Sequence, residues 1–220
     1  MNTNQPAVYD PLTRTLHWLT VAGFIGIPTT IVLWTIYSGL TKIRTKAKPQ
    51  TVQIVRNRSA DSTNSTARRG NAVLVYVNPL YEEAEWVGSL FGLHKSFGFL
   101  TLTVITLRIV WAVANRAKRP QSDSKAAAAG HGILYLLMLA VPVIGMIRQY
   151  GSGRGPLKVF GVEVMQGSPE KIEWMANLGN TFHGNLGWLL FAAVVGHVAM
   201  VVVHRVQGKD VLYRMTGRVR

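Results

Sequence analysis

Four long stretches almost free of charge constrain this chain more than any other feature. A bilayer core takes about 20 mostly apolar residues per helix, and runs of that kind cover residues 16–40, 87–113, 130–147 and 181–203. In hydrocarbon every backbone N–H and C=O has to be satisfied inside its own segment, so runs of this length span as helices. The expected fold class is an all-α membrane protein, a four-transmembrane-helix bundle forming a single membrane domain over 1–220. Pro28 lies inside the first run and Pro142 inside the third, where kinks are expected.

Composition agrees. Charged residues make up 15% of the 220 residues, below the roughly 25% of soluble domains. The first fourteen residues are polar, and the apolar run after them lacks a small-residue cleavage site. It therefore reads as a retained span, not a signal peptide. The chain has no cysteine, which excludes disulfides, thiolate zinc or iron–sulfur sites and covalent C-x-x-C-H haem attachment. Metal chemistry falls to histidine, carboxylate or methionine. The net charge of +14 does not point to nucleic acid, because the basic residues flank the apolar runs. There they meet anionic lipid and set orientation.

Four spans place both termini on one side. Arg116, Lys118, Arg119 and Lys125 between spans two and three, with Arg205, Lys209, Arg214, Arg218 and Arg220 in the tail, favour cytoplasmic termini. Eight basic residues between Lys42 and Arg69 pull the other way, but long loops obey the positive-inside rule less strictly. The expected location is a bacterial inner membrane, crossed several times, with N and C termini inside.

Residues 42–86 form a long inserted loop outside the membrane. Its segment 59–70 is rich in Ser, Thr, Asn and Arg, while 51–55 and 72–77 are rich in β-branched residues and fit a β-hairpin. Residues 81–86 read as an acidic, aromatic interfacial segment. A tolerated insertion and a partner-docking element are both open for this loop. The loop at 151–171 is glycine-rich with an acidic end.

All six histidines, His17, His94, His131, His183, His197 and His204, fall in or at the ends of the spans. Polar groups inside a membrane are costly and usually functional. One such histidine is readily explained by an interhelical hydrogen bond; six in four helices point to ligation. His183 and His197 are fourteen residues apart, which puts them within about 40° of one helix face and roughly 21 Å apart along it. One helix therefore presents an imidazole at each of two levels, and a metal held by two histidines needs one more at each. At the outer level only His94 is available to join His183. At the inner level His17, His131, His197 and His204 are all candidates. A His17–His204 pair fits depth slightly better but separates the two levels by about 31 Å, so His17–His197 is preferred.

Gly184, Gly187 and Gly196 flank the fourth-span histidines, and Gly88, Gly92 and Gly98 flank His94. Glycine admits a flat macrocycle, although close helix packing is the commoner use. Arg108 is the charge deepest in the apolar runs. Pairing with a haem propionate and snorkelling to the interface are both open for it. Arg14 and Arg148 lie at the ends of spans.

The segment Tyr9-Asp-Pro-Leu-Thr-Arg-Thr-Leu-His17-Trp18 resembles the start of the bacterial cytochrome b561 family and of the cytochrome b subunits of hydrogenases and formate dehydrogenases. The third span, from Gly130 through His131 and Pro142 to Gly145, is similar to the family's third helix. The end, from Ala176 through His183, His197 and His204 to Met215, is the most specific block of the resemblance. Only 42–86 falls outside the likeness, being much longer than the family's short connection. The resemblance implies two non-covalent b-type haems, one between His17 and His197 and one between His94 and His183. It implies that His131 and His204 are not iron ligands. With Arg14 and Arg108, they are expected to contact propionates or a quinone or proton site.

Two imidazoles leave no open iron position, so single-electron transfer across the bilayer is expected, to or from the quinone pool with ubiquinone as a candidate. Such a protein would act as a quinone-linked oxidoreductase, driven by superoxide or a protein partner, or as an electron carrier. The alternative is a haem-b subunit of a larger respiratory or photosynthetic complex, docked through 42–86. A haem-free transporter of metal ions is disfavoured, since no carboxylate accompanies the histidines within the four runs.

Overall fold

The computed structural model describes residues 8–47, 53–55, 73–75, 80–120, 122 and 124–217, with the side chains of 40–87 outside the description. Four long helices dominate it: α1 (Pro11–Ala47), α2 (Leu80–Ala114), α3 (Lys125–Gly151) and α4 (Glu173–Val206). All four are long and apolar enough to cross a membrane, over Pro11–Gly39, Gly88–Ala114, Lys125–Gly151 and Glu173–Val206. The helices thus run past the uncharged runs, because their polar ends continue the helix into the interface. The protein is a four-helix membrane bundle. Of the inserted loop, only backbone is described: the end of α1, strands β1 (Gln53–Val55) and β2 (Val73–Val75) paired antiparallel, and the start of α2. Residues 81–86 lie in the first turns of α2; the linker at 59–70 lies outside the described residues.

The helices form two antiparallel pairs, α1 along α2 and α3 along α4, which meet through α2 and α3. Small residues set each seam. Gly23 and Gly26 of α1 lie against Thr101 and Phe97 of α2, where an added Cβ would collide. Gly145, Gly151 and Gly179 do the same against His183, Met175 and Arg148 between α3 and α4. This is the close approach that small residues permit between helices in lipid. Pro28 removes the N–H that would bond the Phe24 carbonyl, and the next two residues turn their hydroxyls back onto the same helix. Thr29 Oγ1 donates to the Ile25 carbonyl at 2.6 Å, and Thr30 Oγ1 to Gly26 and Ile27 at 2.9 Å each.

At mid-depth Ile105, Leu134, Leu137, Met138, Val141 and Leu190 form an apolar plug between α2, α3 and α4, with Ile105 wholly buried. Leu190 is seven residues from both His183 and His197, so the plug separates two levels of histidines.

The face opposite the termini carries a hairpin within the glycine-rich segment at 151–171. Strands β3 (Leu157–Val159) and β4 (Val162–Met165) pair antiparallel through the two-residue turn Phe160-Gly161. Both turn residues have positive φ, 47° and 88°, as in the type I′ turn that suits strand twist. Leu157 and Val159 are buried, the Phe160 N–H donates to Ser96 Oγ at 3.0 Å, and its ring meets Phe97 edge-on at 5.9 Å. A bulky residue at positive φ is an outlier, and these contacts to α2 hold it there.

At the terminal face the two chain ends are tied together. Asp10 precedes Pro11 at the helix start and accepts from the Thr13 N–H at 2.9 Å, Thr13 Oγ1 at 2.6 Å and Trp111 Nε1 at 3.0 Å. It caps α1 and binds it to α2. The Tyr9 N–H donates to the Arg214 carbonyl and Trp18 Nε1 to Met215, both at 3.1 Å, joining α1 to the short α5 (Tyr213–Thr216). Arg119 lies over the Tyr9 ring at 5.3 Å.

Candidate haem-binding site

Antiparallel packing sorts the histidines by face. His94 lies fourteen residues into α2 and His183 ten into α4, both toward the hairpin face. His17 and His131 sit in the early turns of α1 and α3, and His197 and His204 late in α4, toward the terminal face.

On the hairpin side the His94 and His183 rings stand with centroids 6.2 Å apart and planes at 83°. His183 Nδ1 is 2.9 Å from the Val141 carbonyl and His94 Nδ1 is 3.4 Å from the Ile27 carbonyl. A carbonyl only accepts, so Nδ1 carries the proton in both rings and each Nε2 keeps its lone pair. This is the arrangement in which metal-ligating histidines are held. Imidazole nitrogens bind metals at about 2.0 Å, so two rings facing across one metal ion have centroids about 6 Å apart, as found here. The residues present therefore fit an iron between them. Phe91 stacks on His94 at 6.2 Å with planes 15° apart, and Trp34 packs on Phe91 in turn.

On the terminal side His131 and His197 are closer, 5.3 Å between centroids, in direct ring contact. His17 lies near enough to both, and to Arg108, to feel their charge. Arg108 is 92% buried, with its guanidinium over the Tyr135 ring at 5.3 Å. Several buried polar atoms here lack a hydrogen-bond partner: Arg108 Nε, Tyr135 OH, His17 Nδ1, Arg14 Nε and His204 Nδ1. Buried unpaired donors are costly, and two arginines among them fit an acidic group such as a haem propionate. Among the described residues no three of His, Cys, Asp or Glu gather closely enough to hold a metal ion by themselves.

The glycines flanking the histidines behave differently from those at the seams. A Cβ on Gly88, Gly92, Gly98, Gly184 or Gly196 meets nothing within 4 Å, and on Gly187 only Val141 at 4.0 Å. Helix–helix approach does not explain them. On the hairpin face Lys95 and Arg148 each lie near the like charge of Arg154, and Arg148 Nε donates to Asn180 Oδ1 at 2.8 Å. Between α1 and α5 a cleft of about 460 Å³ is lined by Pro11, Arg14, Trp18, Leu19 and Met215.

The sequence reading missed Tyr135, Gly145 and Phe91. Tyr135 lies four residues after His131 on the same helix face, and Phe91 three before His94. That spacing was the available signal for both. Gly145 carried none, since only the packed structure reveals the ring against it.

Four helices long and apolar enough to cross a membrane, with histidines at two depths, are the frame of a membrane cytochrome of the b type. The chain belongs to the prokaryotic cytochrome b561 family, whose profile matches residues 8–218. It is similar to cytochrome b561 homolog 2 of Escherichia coli K12, 30% identical over 132 residues, 57% of this chain and 70% of that protein. Membership implies transmembrane electron transfer through haem b.

Proposed function

We propose that the chain carries two b-type haems, one between His94 and His183 at the hairpin face and one between His17 and His197 at the terminal face. Bound there, each haem takes up and releases one electron at a time. The observation that carries this reading is the pair His94 and His183, 6.2 Å between ring centroids, each with Nδ1 turned to a backbone carbonyl. With two imidazoles to hold each iron, a bound haem would have no protein-free position for oxygen and would supply single-electron transfer. His131 packs against His197, and Arg108 with Tyr135 holds the propionate side of the terminal-face site. The apolar plug around Leu190 keeps water out of the space between the two levels.

The haems link a donor at one face to the quinone pool of a bacterial inner membrane, with both termini in the cytoplasm. The cleft beside Arg14 and Trp18 suits a quinone headgroup at the terminal face. His94→Ala and His183→Ala should each lose one of two haems, and His17→Ala and His197→Ala the other. Reduced-minus-oxidised spectra with haem quantification check this; full haem content in His94→Ala and His183→Ala would overturn it.

A further inference from the structure

Ligation through Nε2 alone leaves an imidazole free to turn about its bond to the metal. On the hairpin face both rings are fixed against that rotation. The His183 ring is tied to the Val141 carbonyl at 2.9 Å and lies flush on Gly145: an added Cβ would stand 2.6 Å from Cε1 and 2.9 Å from Nδ1. Real Cβ atoms do not approach so closely, so any side chain at 145 swings the ring off its carbonyl. His94 is tied to the Ile27 carbonyl and held in plane by the Phe91 stack. The outcome is a pair of imidazoles with planes crossed at 83°. At the terminal face His17 Nδ1 has no partner, so that ring lacks the corresponding tie.

We propose that Gly145 and Phe91 are positioning residues that, with the Val141 and Ile27 carbonyls, fix the His94 and His183 imidazoles in crossed planes. This rests on the reading of those two histidines as axial ligands of one haem. Crossed axial imidazoles give a low-spin ferric EPR signal with an unusually large g-max, whereas near-parallel planes give an ordinary rhombic signal. Donation from Nδ1 to a carbonyl also raises the basicity of the ligand, which favours oxidised iron and lowers the midpoint potential of that site.

The test uses the oxidised full-length protein in detergent, by EPR and by potentiometric titration. His183→Ala first assigns the hairpin-face signal by deleting it; if that variant keeps every signal, the ligand reading fails before positioning is in question. The assigned wild-type signal should be of the large-g-max type. Gly145→Ala should keep both haems, convert that signal toward the rhombic type and raise the midpoint of that haem alone. Gly39→Ala, where a Cβ meets nothing, should change neither. A rhombic wild-type signal, or an unchanged signal and midpoint in Gly145→Ala, would overturn the proposal. Where Gly145→Ala fails to assemble, Phe91→Leu applies the same test from the His94 side, with the same expected and contrary results.

Discussion

Asp10 joins the helix start to the next helix by three hydrogen bonds. Partial burial pushes its carboxyl up, but donation from the Thr13 side chain and N–H and from Trp111 outweighs this and holds it below the ordinary carboxylate value. A depressed acid stabilises the fold above its unfolded pKa of about 3.9 and loses that contribution as pH falls through the lower folded value. Asp10→Ala should therefore cost about 1 kcal/mol at neutral pH, and the gap to wild type should close in strong acid. Thermal melts in detergent at pH 7 and pH 3 check it; an equal gap at both would show the carboxylate charge to be irrelevant. Arg108 is the second residue with a local prediction. Its buried charge beside His17 and His197 favours the reduced state of the terminal-face site. Arg108→Gln should lower that haem's midpoint by on the order of 60 mV, a tenfold change in a one-electron equilibrium, and leave the hairpin-face haem alone in a redox titration. All six histidines were legible as a set, because polar residues inside apolar runs are conspicuous. Which carbonyl each ring meets was not, since Ile27 and Val141 look like any other residue in a span.

The hairpin of β3 and β4 shows where local sequence signals weaken. Phe160-Gly161 is a poor turn signal because only Gly of the pair favours positive φ, and phenylalanine there costs roughly 1–2 kcal/mol in backbone strain. Contacts to Ser96 and Phe97 offset it, and Ser96 lies 64 residues away in sequence. Ser96→Ala should remove about 1 kcal/mol, raising amide exchange in 157–165 about fivefold where opening is local. Exchange mass spectrometry reads this directly, and unchanged protection would mean the hairpin stands without that bond. The four helices, by contrast, were evident from length and hydropathy alone. Helix ends are less evident, since polar residues in the first and last turns continue the helices beyond the apolar runs.

At the scale of the molecule, two helix pairs enclose imidazoles at two depths with an apolar plug between. The plug is a packing feature that no motif announces: Ile105, Leu134 and Leu190 are ordinary span residues until α2, α3 and α4 bring them together. Leu190→Ala should destabilise the bundle by about 2–5 kcal/mol through the cavity left behind, seen as a lower melting temperature with haem content intact at low temperature. The number of haems decides whether the whole arrangement works as a relay between two faces. The most direct test is the ratio of haem b to protein in the natively purified chain, by pyridine haemochrome assay against quantitative amino-acid analysis. The proposed ligation by His94 with His183 and by His17 with His197 predicts two per chain; one or none would contradict it.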